Sequence, residues 1–120
     1  MSVAMALAAG ALFAAGTYLI MQRLLTRIVI GLGLIAHGAN LALLGSGGRP
    51  GAAPIVGGST GAISDPLPQA LVLTAIVITF GVTAFLLALA YRSYVLTDSD
   101  EVEDDPEDRR IAALSRKEAA

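Results

Sequence analysis

Three membrane-spanning helices and no strands, an all-α integral membrane protein, are what this sequence predicts. Three observations predict it. Apolar residues make up 55% of the 120 and charged residues 15%, where soluble domains carry roughly 45–50% and about 25%. The apolar residues fall into three runs, at about 3–22, 26–45 and 68–92, each near the length a bilayer requires. Charges are kept out of those runs: residues 1–96 contain only Arg23, Arg27, Arg49, Arg92 and Asp65, a balance of +3, while residues 97–120 hold nine acids and four bases, a balance of −5. This divides the chain into a membrane domain over 1–96 and an acidic tail over 97–120.

The first run, VAMALAAGALFAAGTYLIM, ends at Gln22 and Arg23. A signal peptide would place basic residues before its apolar core and a small-residue cleavage site after it. Here the arginines follow, so a retained span is the expectation. Its Ala and Gly content, including Ala6, Ala9, Gly10, Ala14 and Gly16, suits close contact between helix backbones.

QRLLTR, Gln22 to Arg27, is too short to be anything but a tight turn between antiparallel spans. The second span, IVIGLGLIAHGANLALL, is the most polar of the three. Gly31, Gly33 and Gly38 thin it and are expected to be close-packing positions. At about 100° per residue, Thr26, Ile30, Gly33, His37, Asn40 and Leu44 form one stripe. That stripe is expected to face protein.

Residues 45–65 read as a Gly/Pro-rich loop, because GSGGRPGAAPIVGGSTGAIS can sustain neither helix nor strand. GxxxxGK[ST] is absent, which excludes a P-loop. The third span is the longest and most sharply bounded. Asp65 with Pro66 and Pro68 forms a helix start, since prolines fit a first turn whose N–H groups lack intrahelical partners and an aspartate suits the positive end of the dipole. No charge appears from Ala70 to Ala90, about 31 Å of helix. Tyr91, Arg92 and Tyr94 then mark an interface. Beyond it the acid block is expected to be solvated, with a short surface helix from about Pro106.

Arginine placement sets the orientation. The turn between the first two spans carries two arginines, the long loop one, and the side after the third span carries Arg92 and a later basic cluster. The positive-inside rule then puts the N-terminus outside and the C-terminus in the cytoplasm.

Chemistry must come from what is polar inside the membrane: His37, Asn40, Gln69, Thr74, Thr79 and Thr83, with no carboxylate, lysine or cysteine. A nucleophile beside an oriented base is missing, and one histidine does not make a metal site. Neither catalysis nor a cofactor is expected, and no nucleic-acid partner. Two readings of His37, Asn40, Thr74, Thr79 and Thr83 stay open. They form helix–helix and helix–backbone hydrogen bonds, or they line a hydrated ion path.

GLGLIAHGANLALL followed by DPLPQALVLTAIVITFGVTAFLLAL resembles the C subunit of the multi-subunit Na⁺/H⁺ antiporter of bacteria, the Mrp or Mnh family, over about residues 5–95. That family is related to the NuoK subunit of respiratory complex I, a three-span protein of the same orientation. The NuoK pattern G-L-E-x-x-x-N-x-x-N-L places a glutamate at Gly33, an asparagine at His37 and a second at Asn40. Its L-T-x-x-x-x-E places another glutamate at Thr79. Both carboxylates are missing here. The resemblance implies a membrane subunit of a complex that exchanges cytoplasmic Na⁺ for external H⁺ using the proton motive force, with the acidic and lysine residues in larger complex-I-like partner subunits. A purely structural spacer or anchor of another membrane complex is the alternative, and a self-assembled channel a third.

The orientation is tested by cysteine labelling, since the chain has no cysteine of its own. Cysteines at Ser2 and Ser59 are expected to react with an impermeant reagent from outside, and one at Ser99 from the cytoplasm alone. Labelling of the loop only from the cytoplasm inverts the topology.

Overall fold

In the computed structural model, which describes residues 2–58 and 61–119, four helices follow one another: α1 (Val3–Ile20), α2 (Leu25–Ser46), α3 (Pro66–Thr97) and α4 (Pro106–Ala119). The first three are long and apolar enough to cross a membrane. The loop position Ser59 lies outside the described residues.

Each helix starts where its sequence supplies partners for the free N–H groups of a first turn. Ser2 caps α1, its Oγ accepting from the Met5 N–H at 3.2 Å. Asp65 caps α3 by accepting from the Leu67 N–H at 2.9 Å, with prolines in the first turn. α2 is the exception, because Leu24 stands at its N-cap and has no side-chain acceptor to offer.

α2 is the middle of the structure. It packs on α1 through one face and on α3 through another, whereas α1 and α3 bring no Cα atoms within 8 Å of each other. The result is a thin three-helix layer with no interior, and with the tail and α4 included the chain measures 76 × 31 × 16 Å. Among the described apolar residues only Ala9 and Val29 are buried, and large side chains such as Val77, Phe80 and Phe85 are exposed. In lipid this arrangement is stable without a core. Backbone hydrogen bonds close within each helix, and apolar side chains meet acyl tails or neighbouring subunits at no cost.

The α1–α2 seam is built on glycine. A Cβ on Gly16 would lie 2.7 Å from the Gly31 carbonyl oxygen, and one on Gly31 would lie 2.7 Å from the Gly16 carbonyl oxygen. The helices therefore cross with backbone against backbone, Ile35 and Ile20 closing over the glycines. Two turns farther along α2, the Phe13 ring sits over Gly38, where a Cβ would fall 2.9 Å from Cδ2. Gly33, expected to pack alongside Gly31 and Gly38, does not do so within this chain: a Cβ there meets nothing within 4 Å. Helical phase is the reason. Gly38 lies about 20° from Gly31 around the axis, but Gly33 lies about 160° away.

Among its described residues the 47–65 loop is irregular, as its composition predicts, and its two arms pair. Ala52 N–H donates to the Ala62 carbonyl at 3.0 Å, Ser64 N–H to the Ala52 carbonyl at 3.1 Å, and Gly51 N–H to Ser64 Oγ at 2.8 Å. Only glycine fits at position 51, because a Cβ would stand 2.6 Å from the Ala62 carbonyl oxygen. At its base the buried Pro68 packs over Gly47.

Two features past the membrane differ from expectation. α3 continues to Thr97, so its 32 residues span about 48 Å and project beyond a hydrocarbon core of roughly 30 Å. The acidic segment that follows is also not simply solvated. Asp98, in the left-handed region at φ 54°, turns the chain, and residues 100–102 run antiparallel to the start of α2. Leu25 N–H donates to the Asp100 carbonyl and Val102 N–H to the Arg23 carbonyl, both at 2.8 Å. Paired backbone groups outweigh the solvation that the charge count alone suggests. α4 begins at Pro106 and packs against none of the three long helices.

The seam makes a sharp prediction. Gly31→Ala is expected to destabilise the folded subunit by about 1–3 kcal/mol through overpacking against backbone. Gly33→Ala is expected to be neutral or to gain up to about 1 kcal/mol from helix propensity. Thermal denaturation of the two variants in detergent, read as loss of intact complex, compares them directly.

Candidate functional site

Four of the polar residues of the membrane region, His37, Asn40, Thr79 and Thr83, lie along the α2–α3 seam. Leu41 and Leu44 of α2 line a shallow cleft with Val72 and Ile76 of α3, and His37 and Asn40 border the same cleft. At the other end, Thr26 shares a cleft with Leu87, Ala90, Tyr91 and Tyr94. These pairings define one antiparallel register. Carried through the middle of the seam, it sets His37 level with Thr79 and Gly33 level with Thr83. Of the sequence-derived stripe Thr26, Ile30, Gly33, His37, Asn40 and Leu44, the residues Thr26, His37, Asn40 and Leu44 border these clefts with α3, while Ile30 is half exposed.

α3 answers with a stripe of its own. Pro68, Val72, Ala75, Thr79, Thr83, Leu86, Ala90 and Ser93 are its more shielded positions, spaced three and four apart as one face of a helix requires. Thr79 and Thr83 belong to this face. Thr74 does not: it is exposed, and its hydroxyl donates to the Ala70 carbonyl at 3.0 Å. That bond satisfies the hydroxyl locally and leaves it free to face lipid. Gln69 is exposed near the 47–65 loop, well away from His37.

His37 and Asn40 share the cleft but differ in environment. The imidazole is exposed at the edge of the layer, within reach of any helix that packs there. Asn40 is partly shielded, and its Nδ2 is buried with no hydrogen-bond partner. An unpaired amide donor in an apolar seam costs about 1–3 kcal/mol. It is the one polar side-chain atom among the described residues left in that condition.

The chemistry this permits is narrow. Among the described residues, no group of three His, Cys, Asp or Glu side chains is placed to hold a metal ion. In the middle of the seam the groups are the His37 imidazole, the Asn40 carboxamide and the Thr79 and Thr83 hydroxyls. They can donate and accept hydrogen bonds and solvate a cation or a water molecule.

One residue with a structural role was missed by the sequence reading. Asp100, in the acidic tail, accepts from Thr26 Oγ1 at 2.8 Å and from the Thr26 N–H at 3.2 Å, and so supplies the cap that Leu24 cannot. The signal that points to it is a helix start, Leu24–Leu25–Thr26, with no capping side chain of its own.

Comparison with known proteins places this geometry. The family model described as NADH-ubiquinone/plastoquinone oxidoreductase chain 4L matches residues 4–105. The C subunit of the Na⁺/H⁺ antiporter of Alkalihalophilus pseudofirmus is 52% identical over 104 residues, 86% of this chain and 93% of that one. Its counterpart in Bacillus subtilis is 49% identical over 104 residues, with coverage of 86% and 92%. Among solved structures, a chain of the Mrp complex from Dietzia sp. superposes with a TM-score of 0.75 at 36% identity, covering 89% of this chain and 82% of that chain. A chain of the membrane-bound sulfane sulfur reductase, an archaeal respiratory membrane complex, gives the same score and identity, with coverage of 87% and 97%. A three-helix layer with a polar seam beside its central helix, matched along most of its length by these chains, belongs to the family of Na⁺/H⁺ antiporter C subunits within the larger chain 4L family.

Proposed function

We propose that this chain is a membrane subunit of a hetero-oligomeric cation/proton antiporter in the bacterial cell membrane, one that exchanges cytoplasmic Na⁺ for external H⁺ using the proton motive force. The observation that carries the reading is the 52% identity to an antiporter C subunit across 86% of the chain. The architecture is consistent with it. A layer with two open apolar faces and two buried apolar residues among those described is a part that needs neighbours, and large complex-I-like antiporter subunits are the partners the family implies. The N-terminus faces outside in this reading, and the chain catalyses no reaction of its own.

Within the complex its main role is to pack, with His37 and Asn40 offered to neighbouring helices. Support comes from the inventory of the spans. With no carboxylate or lysine between Ala70 and Ala90 or along the second span, a proton arriving at His37 has no second titratable group in this chain to receive it. The Na⁺ and H⁺ carriers then lie mainly in the partner subunits.

The similarity to a sulfane sulfur reductase chain favours a second reading, a spacer subunit of a membrane complex with other chemistry. Copurification separates the two. Large antiporter-like subunits recovered with the chain support the first, and redox subunits the second.

Substitution at His37 tests the packing role. His37→Gln keeps hydrogen bonding without an imidazole, and is expected to assemble and transport at near wild-type rates. His37→Leu is expected to weaken assembly by the energy of an interhelical hydrogen bond, about 0.6–2 kcal/mol. Full assembly of His37→Gln without Na⁺-dependent proton movement in everted vesicles makes His37 a proton carrier instead.

A further inference from the structure

We propose that residues 98–105 form a built-in strap that ties the end of α3 to the start of α2, with the Asp100 carboxylate as its buckle, and that the strap belongs structurally to the membrane domain while α4 does not. α2 begins with free N–H groups and a leucine at its cap position. Two of those N–H groups are answered by one distant residue, Asp100: Leu25 donates to its carbonyl and Thr26, 74 positions away, to its carboxylate. The Thr26 hydroxyl donates to the same carboxylate oxygen, and an anion at this helix end also meets the positive end of the dipole.

The approach to this point is shaped for it. α3 ends as the Asp98 N–H donates to the Tyr94 carbonyl at 2.7 Å, and Asp98 takes the left-handed conformation that short polar residues tolerate best after glycine. The Thr97 hydroxyl reaches the Ser93 and Ser99 carbonyls, and Ser99 Oγ accepts from the Glu101 N–H. The chain then pairs with Arg23–Leu25 through both backbone bonds. A loose ion pair, Arg23 to Asp104 at 3.9 Å with Arg23 largely exposed, adds little.

The strap matters because α3 is weakly held elsewhere. Its one buried residue is Pro68, against Gly47 at the far end, and the middle of the seam is open enough that a side chain at Gly33 meets nothing. α3 is therefore pinned at both ends, and the strap sets the register in which Thr79 and Thr83 lie beside the His37 stripe. The family match runs to residue 105 and stops before α4.

Leu24 and Glu101 face each other across the non-hydrogen-bonded position of the pair, where Cα atoms are about 4.5 Å apart and a disulfide fits. The test uses the complete chain in its membrane complex, carrying Leu24→Cys and Glu101→Cys, with a protease site in loop 53–58 so that linked halves stay together on non-reducing gels. Rapid linking is expected. Asp100→Ala should slow it about fivefold and Asp100→Asn should leave it nearly unchanged, because asparagine caps as well as aspartate. Failure of the pair to link, an alanine variant that links as fast as wild type, or an asparagine variant as slow as alanine overturns the proposal. Truncation gives an independent readout. A chain ending at Asp105 should be recovered in the complex at wild-type level and one ending at Thr97 at a small fraction of it, and equal recovery of the two removes the strap's role.

Discussion

The contact between the backbones of Gly16 and Gly31 is what the rest of the molecule depends on. Water does not drive helices together inside a bilayer, since lipid tails are as apolar as leucine. What remains is dispersion between surfaces close enough to interdigitate. Two glycines, each with its bare Cα against the other's carbonyl oxygen and with Ile20 and Ile35 folded over them, bring the backbones of α1 and α2 into direct contact. Once this hairpin is set, α2 has one face consumed, and α3 has only another face to use. The polar stripe of α2 falls on that second face because Gly33 stands about 160° from Gly31 around the helix axis.

The division of α2 into two faces also explains what the sequence made legible and what it did not. Span positions, the short turn, the proline-led start of α3 and the helix from Pro106 were readable because each rests on local chemistry: an uninterrupted apolar run, a proline where no N–H is needed, an aspartate before it. Within this chain Gly31 and Gly38 pack against α1, whereas a Cβ on Gly33 meets nothing within 4 Å. Position around the axis separates Gly33 from the other two, and that information was present in the numbering.

The strap was not legible in the same way, for a physical reason. Its bonds to Leu25 and from Val102 are backbone to backbone, and such pairing leaves no side-chain pattern in a stretch whose acid content argues for solvation. The only trace was negative: an α2 start without Ser, Thr, Asp or Asn at the cap position. A helix whose end is not capped locally must be capped from elsewhere or left to water. The same reasoning bounds Asn40, whose donor was recognisable as a polar group in the membrane but whose lack of a partner depends on packing that only the folded chain reveals.

The seam between α2 and α3 is where family likeness and chemistry part. The resemblance to NuoK sets its two glutamates at Gly33 and Thr79, and in this fold those positions fall in the middle of the seam, level with Thr83 and His37. Replacing ionisable groups by glycine and threonine removes a desolvation cost of a few kcal/mol per charge. It also removes the means of passing a proton along the seam, and leaves free space at Gly33. The same three-helix layer occurs in an Mrp complex and in a sulfane sulfur reductase complex at equal TM-score, so the fold itself does not select the chemistry. What it supplies is a thin plate of set register, pinned at both ends of α3, on whose central stripe a lineage can place carboxylates or leave them out. In this chain the stripe holds hydrogen-bonding groups and no carboxylate, which suits a part that positions its neighbours over one that carries the charge.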